Sequence, residues 1–366
     1  MSSIQQLISH LETLAPPSYQ EGYDNSGLIV GDPATEITGV LFSLDCTEPV
    51  IEEAIQKGCN LVVAHHPIVF KGLKRLNGKN YVERTVIMAI QHGVAIYAIH
   101  TNLDHVLTGV NAMISERLGL QNVRILAPKK ELLMKLTFFV PAESSQLVLD
   151  ALYAEGAGQI GNYSKCSFQT TGTGTFLPVE NAKPVVGELG KLEIITEQRV
   201  EVLFLAHQEH RIMAALRKAH PYEEVAYYVQ RIENEHQEVG AGAVGELPEA
   251  MPVQDFLAHL KKSMNASVVK YTSSSTATIK KVAVCGGAGS FLLSHALRAG
   301  ADAFVTADYK YHEFFDAENR IVICDIGHYE SEVYTKQVLF NNISKKFDNF
   351  ALYLSEVNTN PVSYFI

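Results

Sequence analysis

At 366 residues and 47% apolar content the chain is long enough to bury a large core, and at that length a core normally splits into two domains or more. The five cysteines (Cys46, Cys59, Cys166, Cys285, Cys324) are scattered and never form a Cys-x-x-Cys pair, which argues against a disulfide framework or a thiolate zinc site and for a reducing cytoplasm. The net charge of −10 disfavours nonspecific attraction to nucleic acid, and fourteen histidines are the one compositional hint of metal chemistry.

The first residues lack a basic n-region, and Ile4, Leu7, Ile8, Leu11 and Leu14 fall at helical spacing, so they predict an amphipathic surface helix and neither a membrane nor an export segment. Val40 to Leu44 predicts a strand, Pro49 to Lys57 a helix, and Asn60 to Ala64 a second strand ending on His65-His66-Pro67. Lys71, Lys74, Arg75 and Lys79 cluster in what reads as a solvated loop. A helix around Val82 to Gln91 leads to a third apolar run, Val94 to Ile99, followed by His100 and Asp104 and then by a helix from Val106 to Leu118. Such continuous apolar runs are the mark of parallel strands buried on both faces.

The middle of the chain, from about Leu132 to Ile232, has another character. Leu136 to Val140 predicts a strand, Ser144 to Glu155 a helix, and a Gly- and Thr-rich stretch from Gly156 to Gly174 leads to a second strand-helix-strand, with the strands at Val200 to Ala206 and Val225 to Val229 and the helix at Gln208 to Ala219. Strand-helix-strand repeated in this way is the ferredoxin-like signature. The segment is expected to be an insertion, with turn-prone edges near Ala127-Pro128 and Gly240-Ala241-Gly242.

After the insertion the first layout returns. Val282 to Cys285 predicts a strand, Gly286-Gly287-Ala288-Gly289 a turn, Ser290 to Arg298 a helix, Ala303 to Thr306 a strand ending near Asp308, Tyr311 to Ala317 a short helix, and Ile321 to Cys324 a third strand before His328 and Glu332. Each third strand is thus followed by His-x-x-x-acid: His100 to Asp104, and His328 to Glu332. The fold class is α/β, with two related lobes forming one core and an α+β insertion; the expected domains are residues 1–128, 129–243 and 244–366.

Ligands of open parallel sheets bind beyond the carboxyl ends of the strands, where every one of these groups lies. His65, His66, Asp104, His328 and Glu332 are therefore read as one divalent-metal site, with Glu332 as the candidate bridge between two ions. Taken singly, Asp104 reads as the cap of the following helix and Glu332 as a solvated helix carboxylate; five metal-competent groups from separate strand ends are harder to gather by accident. His100 has three readings: a ligand, a partner of Asp104, or a proton carrier beside the metals. Asp308 and His312 are second-tier cleft candidates. The Gly286 to Gly289 run lacks the GxGxxG spacing of a dinucleotide site and reads better as backbone approaching the cleft, or an anion at the helix N-terminus. In the middle segment, turns are preferred to a phosphate cradle for the glycines, and a strand entrance to a metal site for His220.

These residues resemble the type 2 GTP cyclohydrolase I homologues, the NIF-three-like family. The resemblance rests on Tyr23-Asp24-Asn25-Ser26-Gly27-Leu28-Ile29-Val30-Gly31, Ala64-His65-His66-Pro67, His100-Thr101-Asn102-Leu103-Asp104, Cys285-Gly286-Gly287-Ala288-Gly289 and Gly327-His328-Tyr329-Glu330-Ser331-Glu332. It implies a NIF-three-like core with a dinuclear centre in which His66 and Asp104 serve one ion, His65 and His328 the other, and Glu332 both. It also implies a homohexamer built as a dimer of trimers and, as a reaction, opening of the purine ring of GTP with His100 as proton shuttle. The middle segment is similar to the P-II or CutA-like insertion of some bacterial members, with His220-Pro221-Tyr222-Glu223-Glu224-Val225 as its most recognisable run. Two divalent ions per chain are expected, zinc, iron, manganese and nickel all suiting the ligand set. Three functions compete: a metal-dependent hydrolase; a metal-binding or ligand-sensing regulator without turnover, in which the insertion takes a small molecule or nucleotide; and a ring that contacts nucleic acid through a cluster such as Lys71 to Lys79, which the acidic net charge disfavours.

Overall fold

The computed structural model describes residues 2–365, and its first helix, Ile4–Leu14, begins as its sequence requires. The Ser3 hydroxyl accepts the Gln6 backbone N–H while the Gln6 side chain accepts the Ser3 backbone N–H, and Ile4, Leu7, Ile8 and Leu11 are buried on one face. The first half of the chain then lays down β1 (Gly27–Val30), β2 (Gly39–Ser43), β3 (Leu61–Ala64) and β4 (Ala95–Ala98). β2, β3 and β4 are parallel neighbours, and β1 pairs antiparallel with β4. Every residue of β2 to β4 is buried. The helices Glu48–Gln56 and Tyr81–Gln91 put Val50, Ile51, Ala54, Val86 and Ala89 against Leu41, Val62 and Ile96.

Beyond β4 the structure has two helices, Thr101–Asp104 and Val110–Arg117, where the sequence predicts one from Val106. Gly109 separates them: a Cβ there would stand 1.9 Å from the Leu103 carbonyl oxygen, so the chain can pass only with glycine at that point. Asp104 therefore sits in a helical turn of its own and caps nothing; the N-cap of the second helix is Gly109. β5 (Gln121–Lys129) closes this half.

Residues 129–237 form a separate compact unit. Its strands are β6 (Leu133–Val140), β7 (Ser167–Phe176), β8 (Glu193–Leu205) and β9 (Tyr227–Arg231), with the helices Ser145–Ala154 and Glu209–Ala219 between β6 and β7 and between β8 and β9. The sheet order is β7-β8-β6-β9 with every neighbour antiparallel, the order of a ferredoxin-like sheet. Both helices pack on one face, where Leu136, Phe138, Val140, Val200, Val202 and Phe204 meet Val148, Leu149, Leu152, Ile212 and Leu216. The Gly- and Thr-rich stretch divides: Gly156, Gly158 and Gly161 turn with positive φ, whereas Gly172 and Gly174 lie within β7. His220 Nε2 donates to the Phe139 carbonyl and its Nδ1 accepts the Tyr222 N–H, so both ring nitrogens hold the strand entrance together.

The remaining strands are β10 (His236–Pro252), β11 (Lys270–Tyr271), β12 (Thr278–Ala288), β13 (Ala303–Ala307), β14 (Val322–Asp325) and β15 (Ala351–Leu354). β10 runs unbroken through Gly240-Ala241-Gly242, and the chain from Glu238 onward forms one compact unit with the residues up to Pro128. β12, β13 and β14 are parallel, with β11 antiparallel at the edge of β14, so the order β11-β14-β13-β12 repeats β1-β4-β3-β2. The two halves also exchange strands. β15, from the end of the chain, adds parallel to β2, and β5, from the first half, lies at the outer edge of the second sheet beside β10. The segments predicted as helices at Ser290 to Arg298 and Tyr311 to Ala317 are tighter: the first starts as a 3₁₀ turn and becomes α-helical over Leu293–Arg298, and the second is a 3₁₀ helix, Glu313–Ala317. Among the described residues, no helix is long and apolar enough to cross a membrane.

Glu53 fastens the chain leaving β15. Its carboxylate accepts from the Ser355 hydroxyl, from the Glu356 backbone N–H at 2.9 Å and from the Lys57 ammonium at 2.9 Å. Burial opposes the charge, but these bonds outweigh it and hold the Glu53 carboxyl below its usual 4.5. A carboxylate with a lowered folded pKa stabilises the fold above its unfolded pKa, and that contribution disappears as the pH falls through the folded value. Glu53→Gln is therefore expected to destabilise the protein by about 1–3 kcal/mol at pH 7 and by progressively less as the solution is acidified below the ordinary glutamate range. Denaturant unfolding of both proteins across that range checks this; a gap that stays constant on acidification contradicts it.

Candidate metal centre

The side chains at the strand ends converge within residues 1–128 and 238–366. β3 delivers His65 and His66, the turn after β4 delivers His100 and Asp104, and the short helix His328–Glu332 after β14 delivers its first and last residues. Three groups of ligand atoms lie within 4.8 Å of one another: His65 with His66 and His100, His66 with His328 and Glu332, and His65 with Asp104 and Glu332. Glu332 belongs to the second and third groups, its Oε2 lying 2.9 Å from His66 Nε2, 3.0 Å from His328 Nε2 and 4.0 Å from His65 Nε2. The short contacts join His65 with Asp104 and His66 with His328, whereas the family resemblance pairs His66 with Asp104 and His65 with His328.

Each imidazole is aimed by a bond on its other nitrogen. His65 Nδ1 donates to the Ile99 carbonyl at 2.8 Å, His66 Nδ1 to Asp45 at 2.7 Å, His100 Nδ1 to Asp24 at 2.8 Å and His328 Nδ1 to Asp308 at 2.7 Å. An acceptor at Nδ1 fixes the tautomer and leaves Nε2 as the ligating nitrogen. The acceptors are themselves held: Asp24 by Thr101 and Ser26, and Asp45 by the Thr359 hydroxyl. Asp308 adopts a left-handed conformation, φ 55°, which aspartate tolerates better than most residues.

Glycine makes the room. A Cβ on Gly287, whose φ is 62°, would lie 2.5 Å from Glu332 Oε1, and one on Gly286 would lie 2.6 Å from Val110. The Gly286 to Gly289 run thus lets the backbone approach the cluster, as one of its two sequence readings has it. Asn111 ties the halves of the centre by donating to the Asp104 carbonyl and accepting the Gly286 N–H, both at 3.0 Å. The Ser331 hydroxyl accepts the Gly287 N–H at 3.0 Å and donates to the His328 carbonyl.

The electrostatics divide the cluster. Burial pushes His65 down to about 3, so its imidazole is neutral. Burial also works against charging His66 and His328, but hydrogen bonds to Asp45 and Glu332 raise His66 to about 9, and those to Asp308 and Glu332 raise His328 to about 11. Glu332 is buried, yet the bonds from His328 and His66 hold it well below the carboxylate range. Asp104 goes the other way: burial and the Glu332 charge push it well up. His65 Nε2 and Asp104 Oδ1 lie 3.5 Å apart, both buried and both without a hydrogen-bond partner. Two unsatisfied buried polar atoms side by side are costly in any fold, and a cation between them would satisfy both.

Of the second-tier candidates, Asp308 orients His328, while His312 is exposed, stacks on Phe315 and belongs to none of the ligand groups found among the described residues. Asp24, Asp45 and Asn111 are the residues that sequence reasoning did not single out by role. Asp45 follows directly on the strand predicted to end at Leu44, two positions past the last residue of β2, whereas Asp24 and Asn111 act only through tertiary contacts.

A buried imidazole–carboxylate cluster at the carboxyl ends of the parallel strands of two related sheets defines an α/β protein with side-chain groups that could hold a metal ion. The chain belongs to the Duf34/NIF3 (NGG1p interacting factor 3) family, which it matches over residues 2–361. A protein of Halalkalibacterium halodurans called a GTP cyclohydrolase 1 type 2 homolog is 38% identical over 365 residues, covering 98% of each chain. A Bacillus subtilis protein of the same name is 38% identical over 366 residues with the same coverage. A crystal structure of a Bacillus cereus protein related to NIF3 superposes with a TM-score of 0.87 at 36% identity, covering 100% of this chain and 99% of that one.

Proposed function

We propose that the chain is a metal-dependent hydrolase whose centre holds two divalent ions, with Glu332 shared between them and His65, His66, Asp104 and His328 as the other ligands. The observation that carries the reading is the pair of partnerless buried atoms, His65 Nε2 and Asp104 Oδ1, set among imidazoles whose Nδ1 atoms are all engaged elsewhere. Imidazole nitrogens and carboxylate oxygens in this mixture suit zinc, iron, manganese or nickel. Bound divalent ions supply Lewis acidity, activating water near neutral pH and offsetting the charge that develops on a substrate.

The chain's own residues do the rest. His100, whose Nδ1 donates to Asp24 at 2.8 Å, carries protons in this reading, and the Asp24 carboxylate orients its ring beside His65 and His66, each 5.3 Å away centroid to centroid. A cavity of ≈ 650 Å³ opens beside His66 and His328, within the size range of small-molecule sites. Tyr329 and Tyr364 on its wall offer aromatic faces to a planar base, and Lys270, 2.6 Å from the buried Asp325 carboxylate, supplies a cation. The relatives' name points to GTP as substrate, with hydrolytic opening of the purine ring at C8 and release of formate. Assembly as a homohexamer belongs to the same reading, and mass in solution tests it.

The turnover test is an assay of metal-loaded protein with GTP, following formate release and loss of purine absorbance, beside a panel of phosphoesters. Turnover that chelation abolishes and metal restores is the expected result. Full metal content with no turnover of any substrate favours the second reading, a ligand-sensing regulator, for which the inserted unit and its own cavity speak. Asp308→Asn, which takes the charged acceptor from His328 Nδ1, is expected to weaken metal binding about 10- to 100-fold. Titration with a competing chelator reads this directly, and unchanged affinity contradicts the role given to Asp308.

A further inference from the structure

The inserted unit has a hollow on the sheet face opposite its helices. β8 alternates, with Val200, Val202 and Phe204 packed in the helix-covered core and Glu197 and Arg199 on the other side. The antiparallel register sets Gly172 opposite Glu197 and Gly174 opposite Ile195, so two glycines of β7 fall on this open face. A Cβ on Gly174 would lie 2.2 Å from the Glu197 carboxylate, and one on Gly172 would stand in open space. The missing side chains leave a cavity of ≈ 620 Å³.

Its walls are aromatic and its charge is negative. Phe139, Phe176, Tyr222 and Tyr228 line it, with Phe139 and Tyr228 edge to face at 6.0 Å. The segment after β7 forms a further wall through Pro178, Pro184 and Val185, held in place where Glu223 accepts the Lys183 N–H at 2.7 Å. Three carboxylates, Glu197, Glu223 and Glu224, face one guanidinium, Arg199, which is itself bound to Glu201 at 2.6 Å. Such a lining repels phosphates and carboxylates. It suits a cation whose ammonium lies against aromatic faces and whose charge a half-buried carboxylate balances.

We propose that this cavity binds an organic cation with an apolar body, the four aromatic side chains enclosing the body and Glu197 neutralising the ammonium. Burial raises the Glu197 carboxyl while the Tyr222 hydroxyl opposes that rise, so a bound cation restores solvation that the carboxylate has lost. The site stands independently of the metal centre and of any reaction there.

The test is calorimetric titration of the full-length protein with benzyltrimethylammonium, with benzyl alcohol as neutral comparator and phenylacetate as anionic one. Saturable binding of the cation at one site per chain is expected, with benzyl alcohol weaker and phenylacetate silent. Glu197→Gln, which keeps the size and removes the charge, is expected to weaken the cation about tenfold while metal content and melting temperature stay as in the wild type. Tyr228→Ala, at an exposed wall position, provides a second variant and is expected to weaken it about fivefold with the melting temperature close to that of the wild type. No saturable binding of the cation, phenylacetate binding as well as the cation, or wild-type affinity in both variants overturns the proposal.

Discussion

Replacing Glu332 with alanine is expected to remove at least one of about two metal ions per chain and to reduce any metal-dependent turnover by more than about a hundredfold. The magnitude follows from position. Residues that merely orient a ligand are worth about 10- to 100-fold in affinity or activity, and Glu332 Oε2 touches both His66 and His328 directly and lies 4.0 Å from His65. The variant also leaves two imidazoles, both raised above neutrality, without the carboxylate that balances them. Breaking a buried pair in this way costs about 3–5 kcal/mol, so loss of metal must be separated from loss of fold. Glu332→Gln does so: it keeps the volume beside Gly287 and one acceptor oxygen, and is expected to fold, to bind metal less tightly than wild type and more tightly than the alanine variant. Elemental analysis of the three proteins with their circular dichroism is the check, and equal metal content in all three contradicts the bridging assignment.

Asp104→Asn is expected to act in opposite directions on the two forms of the protein. In the metal-free chain, burial and the Glu332 charge both oppose ionisation of Asp104, and its Oδ1 has no partner, so a neutral amide of the same shape relieves a local penalty. With metal bound, the lost charge is a lost ligand. Wild-type protein at metal concentrations a thousandfold above Kd gains about 4 kcal/mol per site from binding. The variant is expected to be at least as stable as wild type after chelation and to gain no more than about half as much on metal addition. Denaturant unfolding with and without metal measures both terms. A chelated variant less stable than chelated wild type, with an undiminished gain on loading, contradicts the assignment of Asp104 as a ligand.

The strands that position the centre were legible in the sequence because a parallel strand covered on both faces must be apolar throughout. Leu61–Ala64, Ala303–Ala307 and Val322–Asp325 are buried along their whole length, and their ends led to His65, His66 and His328. The spacing of His328 and Glu332 was legible too, since a helix does begin there and sets both on one face. What was not legible depends on contacts remote in sequence. Nothing local tells Asp24 to reach His100, or Asn111 to join Asp104 to Gly286. The exchange of β5 and β15 between sheets was not legible, because the alternation of a four-residue edge strand such as β15 does not say which sheet it joins. β7 was hidden for the opposite reason: an exposed edge strand of Gly and Thr reads like a loop, and its glycines make sense only once Glu197 lies across them.

Sharing of Glu332 by two divalent ions can be seen by anomalous diffraction from crystals grown with a single metal such as manganese or zinc. The expected result is two peaks about 3.5–4 Å apart, with the Glu332 carboxylate between them and His65, His66, Asp104 and His328 around them. A single peak, or two peaks of which Glu332 touches only one, would contradict it.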